Sequence, residues 1–224
     1  MIKSIFYKEW LKTRVVVLLA AALNIGCIAY ILLSLRNTLL SSGIVETWAT
    51  MIGRDIMMVN SLMLIPLITG IVLAVMQWLP EMQQKRIKLT LHLPIKYGYS
   101  IGIMLGYGLT CLLLTFILDA ALLAIVESLW LPAELVYRTF LTTLPWYIAG
   151  CMGYAVISWL LLEPTWRIRI IDACIGAPLV GICFLTTQPA CYINFMPCLI
   201  ILAAIMACLP LYSVYRFKMG EGLV

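Results

Sequence analysis

Residues 100–126 read SIGIMLGYGLTCLLLTFILDAALLAIV, and this stretch decides the fold. Its 27 positions hold a single charged residue, Asp119. The hydrocarbon core of a bilayer is about 30 Å thick, and about 20 helical residues cross it. Because a backbone in lipid must satisfy its own hydrogen bonds, a long apolar run without strand alternation forms a helix there. We therefore predict a transmembrane helix over these residues.

Five further apolar stretches meet or approach the same length. The six predicted spans cover residues 15–35, 56–79, 100–126, 140–162, 170–187 and 196–215, of which the fifth is the shortest. Apolar residues make up 64% of the 224-residue chain and charged residues 11%, against roughly 25% charged residues in soluble domains. This composition excludes a soluble enzyme and a nucleic-acid-binding domain. The predicted fold class is all-α, with residues 1–224 forming one polytopic membrane domain.

Lysine and arginine residues predict the orientation of these spans. Twelve of the fifteen lie at the termini and in one set of loops, and the other set holds only Arg36, Arg54 and Arg138. Positively charged loops stay in the cytoplasm, so both termini and residues 80–99 are predicted to be cytoplasmic. The chain is thus expected to be a multi-pass protein of the cytoplasmic (inner) membrane. Its formal net charge of +5 indicates topology and contact with anionic lipid rather than nucleic-acid binding.

The first fourteen residues, MIKSIFYKEWLKTR, are amphipathic at helical spacing. Their apolar face holds Ile2, Ile5, Phe6 and Trp10, and most of the charged side chains lie on the other face. This pattern predicts a helix over residues 1–14 that lies in the membrane interface. A basic flank that only sets the orientation of the first span is the alternative.

The predicted cytoplasmic loop 80–99, PEMQQKRIKLTLHLPIKYGY, mixes charged and apolar residues. Apolar side chains occupy every second position in its middle: Ile87, Leu89, Leu91 and Leu93. This alternation is typical of a strand, yet the same residues also form i,i+4 pairs, as on a helix. Pro94 ends whichever element forms. Such a loop either binds a partner protein or rests on the lipid surface.

The sequence has no motif for catalysis. It contains no Gly-Lys pair, so the phosphate-binding loop GxxxxGK[ST] is absent. The only histidine, His92, lies in the predicted cytoplasmic loop, which leaves no Ser–His pair in the membrane. The three aspartates are far apart, whereas a hard cation needs several oxygen ligands together. We expect no catalytic residue, metal site or cofactor in this chain, and therefore no enzyme activity.

Three polar residues within the spans are candidate positions for function. Asp119 is about two-thirds along the third span, where a charged group usually faces the bundle interior. It is either a substrate or proton contact or a structural acid near the outer interface. Asn24 and Asn60 are candidates for hydrogen bonds between helices. Cys191 and Cys198, near the outer end of the last hairpin, are candidates for a disulfide, with free thiols as the alternative.

Small residues mark where helices can approach each other closely. Gly102, Gly106 and Gly108 lie in the third span, the first two in a GxxxG pattern, and Gly150 and Gly153 lie in the fourth. These glycines permit close helix contact.

This layout resembles the membrane subunit of an ABC transporter of the type-2 exporter class. The segment MIKSIFYKEWLKTR is similar to that family's interfacial helix, which enters the first span. Glu81 and the later stretch KRIKLTLHLPIKYGYSIG resemble its coupling segment, with Leu93, Pro94 and Ile95 as the turn into the third span. The family often has a glycine soon after the acidic residue, where this chain has QQKR at 83–86.

The resemblance implies a permease subunit that exports a substrate along a dimer interface. The subunit would pair with itself or with a second permease and bind two ATPase subunits, which would hold ATP and Mg²⁺. Arg167 and Arg169 would form a smaller second contact with the ATPase. The residues implied to transmit ATP-driven closure to the spans are Glu81, Ile87, Leu89, Leu91, Leu93 and Pro94.

Two other functions are alternatives. A small secondary transporter or channel would use Asp119 as a proton or ion site, and Asp119→Asn would abolish its activity. A membrane assembly subunit would form a stable complex without substrate-stimulated ATP hydrolysis. In the ABC permease, Asp119→Asn is expected to be mild, whereas Glu81→Ala or Leu91→Asp would uncouple ATP hydrolysis from transport.

Overall fold

A computed structural model of the chain describes residues 2–53, 58–83 and 97–219. Regular structure within these ranges is entirely helical, as predicted. The α-helices, numbered here in chain order, are α1 Ile2–Ser42, α2 Ile44–Gly53, α3 Ile65–Gln83, α4 Tyr97–Glu127, α5 Ala133–Leu162, α6 Trp166–Gly181 and α7 Met196–Met219. Short 3₁₀ turns cover Asn60–Leu62 and Ile182–Phe184.

Five helical segments within the described ranges are long and apolar enough to cross a membrane. They are Ile2–Ser42, Asn60–Gln83, Gly98–Glu127, Ala133–Leu162 and Met196–Arg216. These segments coincide with the predicted first, second, third, fourth and sixth spans, although residues 56 and 57 of the second lie outside the described ranges. The chain is therefore compatible with a multi-pass integral membrane protein.

The predicted fifth span, residues 170–187, differs from the other five. It falls on α6, which has only 16 residues, and on the 3₁₀ turn Ile182–Phe184. Sixteen helical residues rise about 24 Å, less than the thickness of the hydrocarbon core. Pro178 lies inside the helix, and the 3₁₀ turn follows directly after its end. This element is therefore not among the five long spans.

The predicted interfacial helix over residues 1–14 is not a separate element. Helix α1 continues without a break from Ile2 to Ser42 and ends before Gly43, whose φ of 84° is accessible mainly to glycine. Its 41 residues extend about 60 Å, roughly twice the thickness of the hydrocarbon core. The amphipathic segment is thus a direct extension of the first span.

Helix α5 lies at the centre of the bundle. It packs against α3, α4, α6 and α7, while α1 packs against α3 and α4. The side chains of Trp146, Met152 and Tyr154 on α5 are almost fully enclosed. Many residues on α1 and α4 instead expose large apolar side chains, such as Leu114 at 68%. Such surfaces are expected where lipid is the solvent.

The closest helix contact joins α3 and α5 through glycines. A Cβ atom added at Gly70 would overlap the carbonyl group of Gly150, and one added at Gly150 would lie 2.6 Å from the carbonyl oxygen of Pro66. A Cβ atom added at Gly153 would lie 2.5 Å from the end of the Leu67 side chain. The prediction of close contact is confirmed for this pair of glycines in α5.

The GxxxG pattern of α4 makes no such contact within the chain. A Cβ atom added at Gly102 or Gly106 would meet nothing within 4 Å. Gly102 and Gly106 therefore make no close contact among the described residues. The prediction is confirmed for Gly108, where an added Cβ atom would overlap the ring of Tyr154.

Candidate functional site at the lysine-rich end of the bundle

Glu81 lies in the last turn of α3 and is fully buried against α1. Its Oε1 atom is 3.0 Å from Lys8 Nζ and 3.1 Å from Lys12 Nζ. The side chains of Lys8 and Lys12 are 45% and 15% exposed. A buried carboxylate is costly unless it is paired, and two lysines provide that pairing. Glu81 therefore fastens the end of α3 to the start of α1.

A second buried acid, Glu9, completes this group. Its Oε2 atom is 2.8 Å from Lys12 Nζ, and its Oε1 atom is 3.9 Å from Lys8 Nζ. Two carboxylates and two lysines balance in charge. We call Lys8, Glu9, Lys12 and Glu81 the Glu9–Glu81 cluster. Because three of its members lie on α1 and one on α3, the cluster fixes the position of α3 along α1.

Local sequence explains how α1 presents these groups. Lys8 and Lys12 are four residues apart and Glu9 and Lys12 three, so all three share one face of the helix. The next turn of that face adds Thr13, whose hydroxyl donates to the Glu9 carbonyl oxygen at 2.9 Å. The Thr13 oxygen also lies 2.7 Å from the Tyr107 hydroxyl of α4. The same face of α1 therefore contacts both α3 and α4.

An aromatic contact strengthens the junction between α1 and α4. The rings of Phe6 and Tyr107 meet edge to face, with their centroids 5.4 Å apart. Such a pair contributes roughly 0.5–1.5 kcal/mol beyond its buried area. The first third of α4, at Tyr107, is thus attached to the same segment of α1 as the end of α3.

The segment between these two attachment points is the predicted coupling loop. Of its predicted functional residues, only Glu81 lies in the described ranges. The others, at positions 84–96, lie outside them: Ile87, Leu89, Leu91, Leu93 and Pro94. The helices that flank the segment, α3 and α4, both contact α1. A displacement of this loop would therefore act on α3 and α4, which both contact residues 6–13 of α1.

A buried hydrogen-bond network links the same helices one turn deeper in the bundle. The Gln77 side chain on α3 donates from Nε2 to the Met104 carbonyl oxygen of α4 at 2.8 Å. Its Oε1 atom accepts a hydrogen bond from the Tyr154 hydroxyl of α5 at 2.9 Å. Gln77 and Tyr154 are fully buried. This network connects the cluster to the central helix.

A second charged group occupies the C-terminal ends of α5 and α7. The buried Glu163 carboxylate accepts a hydrogen bond from the Ser213 hydroxyl at 2.6 Å and lies 3.2 Å from Arg216 Nη1. Arg169, predicted as part of a second contact, donates to the Glu163 carbonyl oxygen at 2.6 Å. Its guanidinium group also lies 5.6 Å from the Trp166 ring centroid. Arg169 thus contacts its own chain closely.

The polar residues predicted within the spans are scattered through the bundle. Asp119 is buried on α4, and neither of its carboxyl oxygens has a hydrogen-bond partner among the described residues. Asn24 is buried and donates from Nδ2 to Ala20 of its own helix at 2.8 Å. Asn60 is exposed in the 3₁₀ turn before α3. The structure brings none of the three to the Glu9–Glu81 cluster.

Cysteines and metal-binding groups are equally dispersed. All eight cysteines lie in described ranges and are free, and Cys191 and Cys198 are exposed thiols rather than a disulfide. No three His, Cys, Asp or Glu side chains within residues 2–53, 58–83 and 97–219 form a group that could hold a metal ion.

The family resemblance singled out Glu81 as a coupling residue, which stays a prediction, and the sequence did not indicate its ion-pair partners. Lys8, Glu9 and Lys12 were assigned only to the polar face of an interfacial helix. One signal was available, since Glu9 is the only acid among four basic residues in the first fourteen positions. Comparison with known proteins adds no relative, because no family model, curated protein or solved structure matches the chain.

Proposed function

We propose that the chain is the membrane permease subunit of an ATP-driven ABC transporter of the type-2 exporter class. The Glu9–Glu81 cluster carries this proposal. It joins the N-terminal segment to the helix that leads into the lysine-rich loop 84–96. A transporter whose ATPase is a separate chain must pass the movement of the ATPase through contacts into its own membrane helices. The cluster links the end of α3, next to the segment 84–96, to α1.

The mechanism follows from the attachments of the loop. When ATP binding moves the ATPase subunits, the loop between α3 and α4 moves with them. Glu81 and Tyr107 transmit this displacement to α1, and the Gln77–Tyr154 hydrogen bond transmits it to α5. Helices α1, α3, α4 and α5 then shift together and change the opening along the dimer interface.

Contacts at the two ends of α6 support six crossings of the membrane. Arg169 near its start bonds to Glu163, just after the end of α5. Beyond α6, the Ala190 amide donates at 3.2 Å to Oγ1 of Thr142, the tenth residue of α5. The end of α5 and Thr142 are separated by about 30 Å of helix, close to the thickness of the hydrocarbon core. The chain between Arg169 and Ala190 therefore traverses that distance.

With six crossings, both termini lie on the same side of the membrane as the segment 84–96. That side carries most of the positive charge and is therefore the cytoplasm. The permease pairs with a second copy or a sister permease. The dimer binds two ATPase subunits in the cytoplasm, and these hold ATP and Mg²⁺. Anionic lipid surrounds the lysine-rich end.

Site-specific cross-linking tests the coupling contact. A photoreactive amino acid at Leu91 in the loop is expected to form a covalent adduct with the ATPase in native membranes. The same probe at Leu114, an exposed apolar residue of α4, is the matched control and is expected to give no such adduct. Adducts at both positions or at neither would contradict the assigned contact.

The burial of Asp119 favours a second candidate, a small secondary transporter or channel. A carboxyl group without a partner inside a membrane bundle is a typical proton or ion site. This candidate predicts transport without an ATPase and its loss in Asp119→Asn. The ABC permease retains ATP-dependent transport in that variant, so the two functions are separable with one substitution.

A further inference from the structure

Asp119 is a buried acid of α4, far from the Glu9–Glu81 cluster. It is twelve residues beyond Tyr107 on α4, which corresponds to about 18 Å of helix rise toward the opposite end. The stripe of buried residues that contains it is otherwise apolar at this level, with Leu112, Phe116 and Leu123. Asp119 itself is 1% exposed, and both carboxyl oxygens are without a hydrogen-bond partner in the described part of the chain.

Polar side chains of the neighbouring helices leave Asp119 without a partner. On α1, which packs against α4, the Cys27 thiol donates to the Ser61 carbonyl oxygen at 3.5 Å. On α5, the Tyr147 ring packs on Phe116, three residues before Asp119, with the centroids 5.2 Å apart. The Tyr147 hydroxyl is buried and, like the Asp119 carboxyl group, has no hydrogen-bond partner among the described residues.

Among the described residues, the other charged groups of the packed helices lie farther along their helices. On α1, the first charged residue after Cys27 is Arg36, nine positions on and exposed. On α4 itself, Glu127 follows eight residues later, about 12 Å along the axis. Helix α3 has Glu81 as its only charged residue, at the opposite end, and the charges of α7 are Arg216 and Lys218 at its C-terminus. The charged residues of α5, Glu134 and Arg138, belong to its first two turns, nine or more residues before Tyr147.

This set of groups suits a proton better than a metal ion. An ionised carboxylate without a donor or a cation is very unfavourable in a low-dielectric interior. A metal ion would need several ligands, and the described residues hold no group of three His, Cys, Asp or Glu side chains. Protonation removes the charge and leaves a neutral carboxyl group, which costs less to bury than a carboxylate.

We propose that Asp119 is a proton-binding site, with its carboxyl group protonated in this closed arrangement of helices. When the bundle opens to water, the O–H bond breaks, the proton passes to water and the carboxylate becomes solvated. Proton release accompanies opening, so low pH favours the closed arrangement and high pH the open one. The inference rests on α1, α4 and α5 alone and does not depend on coupling to an ATPase.

Infrared difference spectroscopy of the full chain in phosphatidylcholine vesicles tests this proposal at neutral pH. The spectrum of the wild type minus Asp119→Asn is expected to contain the C=O stretching band of a neutral carboxylic acid. Asp119→Glu is expected to restore that band at a shifted frequency, which assigns it even if the asparagine variant folds poorly. Glu134→Gln, which removes an exposed acid of α5, is the matched control and is expected to lose only carboxylate bands.

The opposite spectra would overturn the proposal. If Asp119→Asn removes carboxylate bands and leaves the acid band unchanged, Asp119 is ionised in the closed bundle. If Asp119→Glu leaves the frequency of every acid band unchanged, the neutral carboxyl group belongs to another residue.

Discussion

Glu81 combines complete burial with two cationic partners of unequal exposure. Lys12 is 15% exposed and also pairs with Glu9, whereas Lys8 is 45% exposed. Removing the acid leaves two lysines close together without their shared partner. Removing Lys8 leaves the better-enclosed Lys12 in place. The free energy of unfolding should therefore respond very differently to these two changes.

We expect Glu81→Gln to destabilise the protein by about 3 kcal/mol, since it breaks a buried ion pair from the acid side. Lys8→Ala is expected to cost less than about 1 kcal/mol, because Lys8 is half exposed and Lys12 still pairs with Glu81. Thermal unfolding in mild detergent at one salt concentration compares the two variants. Equal losses of stability would mean that Lys8, rather than Lys12, is the principal partner of Glu81.

The partners of Glu81 lay beyond sequence reasoning for a physical reason. Spacing along α1 shows that Lys8, Glu9 and Lys12 share a face, but not which helix that face meets. The contact joins residues 69 positions apart, Lys12 and Glu81. The burial of Asp119 was easier to predict, because an acid within a membrane helix usually faces the interior of the bundle rather than lipid.

At the scale of helices, the contact of α3 with α5 is the tightest in the bundle. Gly70 and Gly150 allow the two backbones to approach until a side chain on either would overlap the other helix. In lipid, this close approach replaces the hydrophobic effect as the source of association. The position of α5 therefore depends on the absence of side chains at these glycines.

Gly70→Ala is expected to destabilise the bundle by roughly 1–3 kcal/mol, because the added methyl group would meet backbone atoms that cannot move away. Gly102→Ala is the matched control: nothing lies within 4 Å of its Cβ position, and alanine favours the helix. Unfolding in detergent measures both variants. A neutral Gly70→Ala would show that α3 and α5 are farther apart than described.

Five of the six predicted spans correspond to long helices because length and apolarity are local properties of the sequence. Two predictions at this scale needed tertiary information. The boundary at residue 14 was placed where the charge pattern changes, yet no proline or glycine interrupts the helix there. The GxxxG pattern at Gly102 and Gly106 marks a surface of small residues but not its partner, and α5 supplies the glycines that are in contact.

For the whole molecule, the number of crossings determines the side of each terminus. The chain between Arg169 and Ala190 runs from the end of α5 back to Thr142, about 30 Å away along that helix, although α6 alone is shorter than the hydrocarbon core. With six crossings the two termini share one side, and with five they lie on opposite sides. The positive residues near both termini favour the first arrangement.

Fusion of a cytoplasm-specific fluorescent reporter to either terminus distinguishes these arrangements. Both fusions are expected to fluoresce, since Arg216 and Lys218 accompany the C-terminus as Lys3 and Lys8 accompany the N-terminus. An export-dependent phosphatase at the same positions should be inactive in both. Fluorescence at the N-terminus alone, with phosphatase activity at the C-terminus, would mean that residues 170–187 do not cross the membrane.

We propose that this chain works with a separate ATPase. The proteins that bind the chain in its native membrane test this proposal most directly. The tagged full-length protein would be purified in mild detergent, and the co-purifying chains identified and quantified by mass spectrometry. We predict an equimolar ATPase that carries a GxxxxGK[ST] phosphate-binding loop. A folded protein that purifies without any ATPase, yet transports substrate in vesicles that contain it alone, would contradict the account.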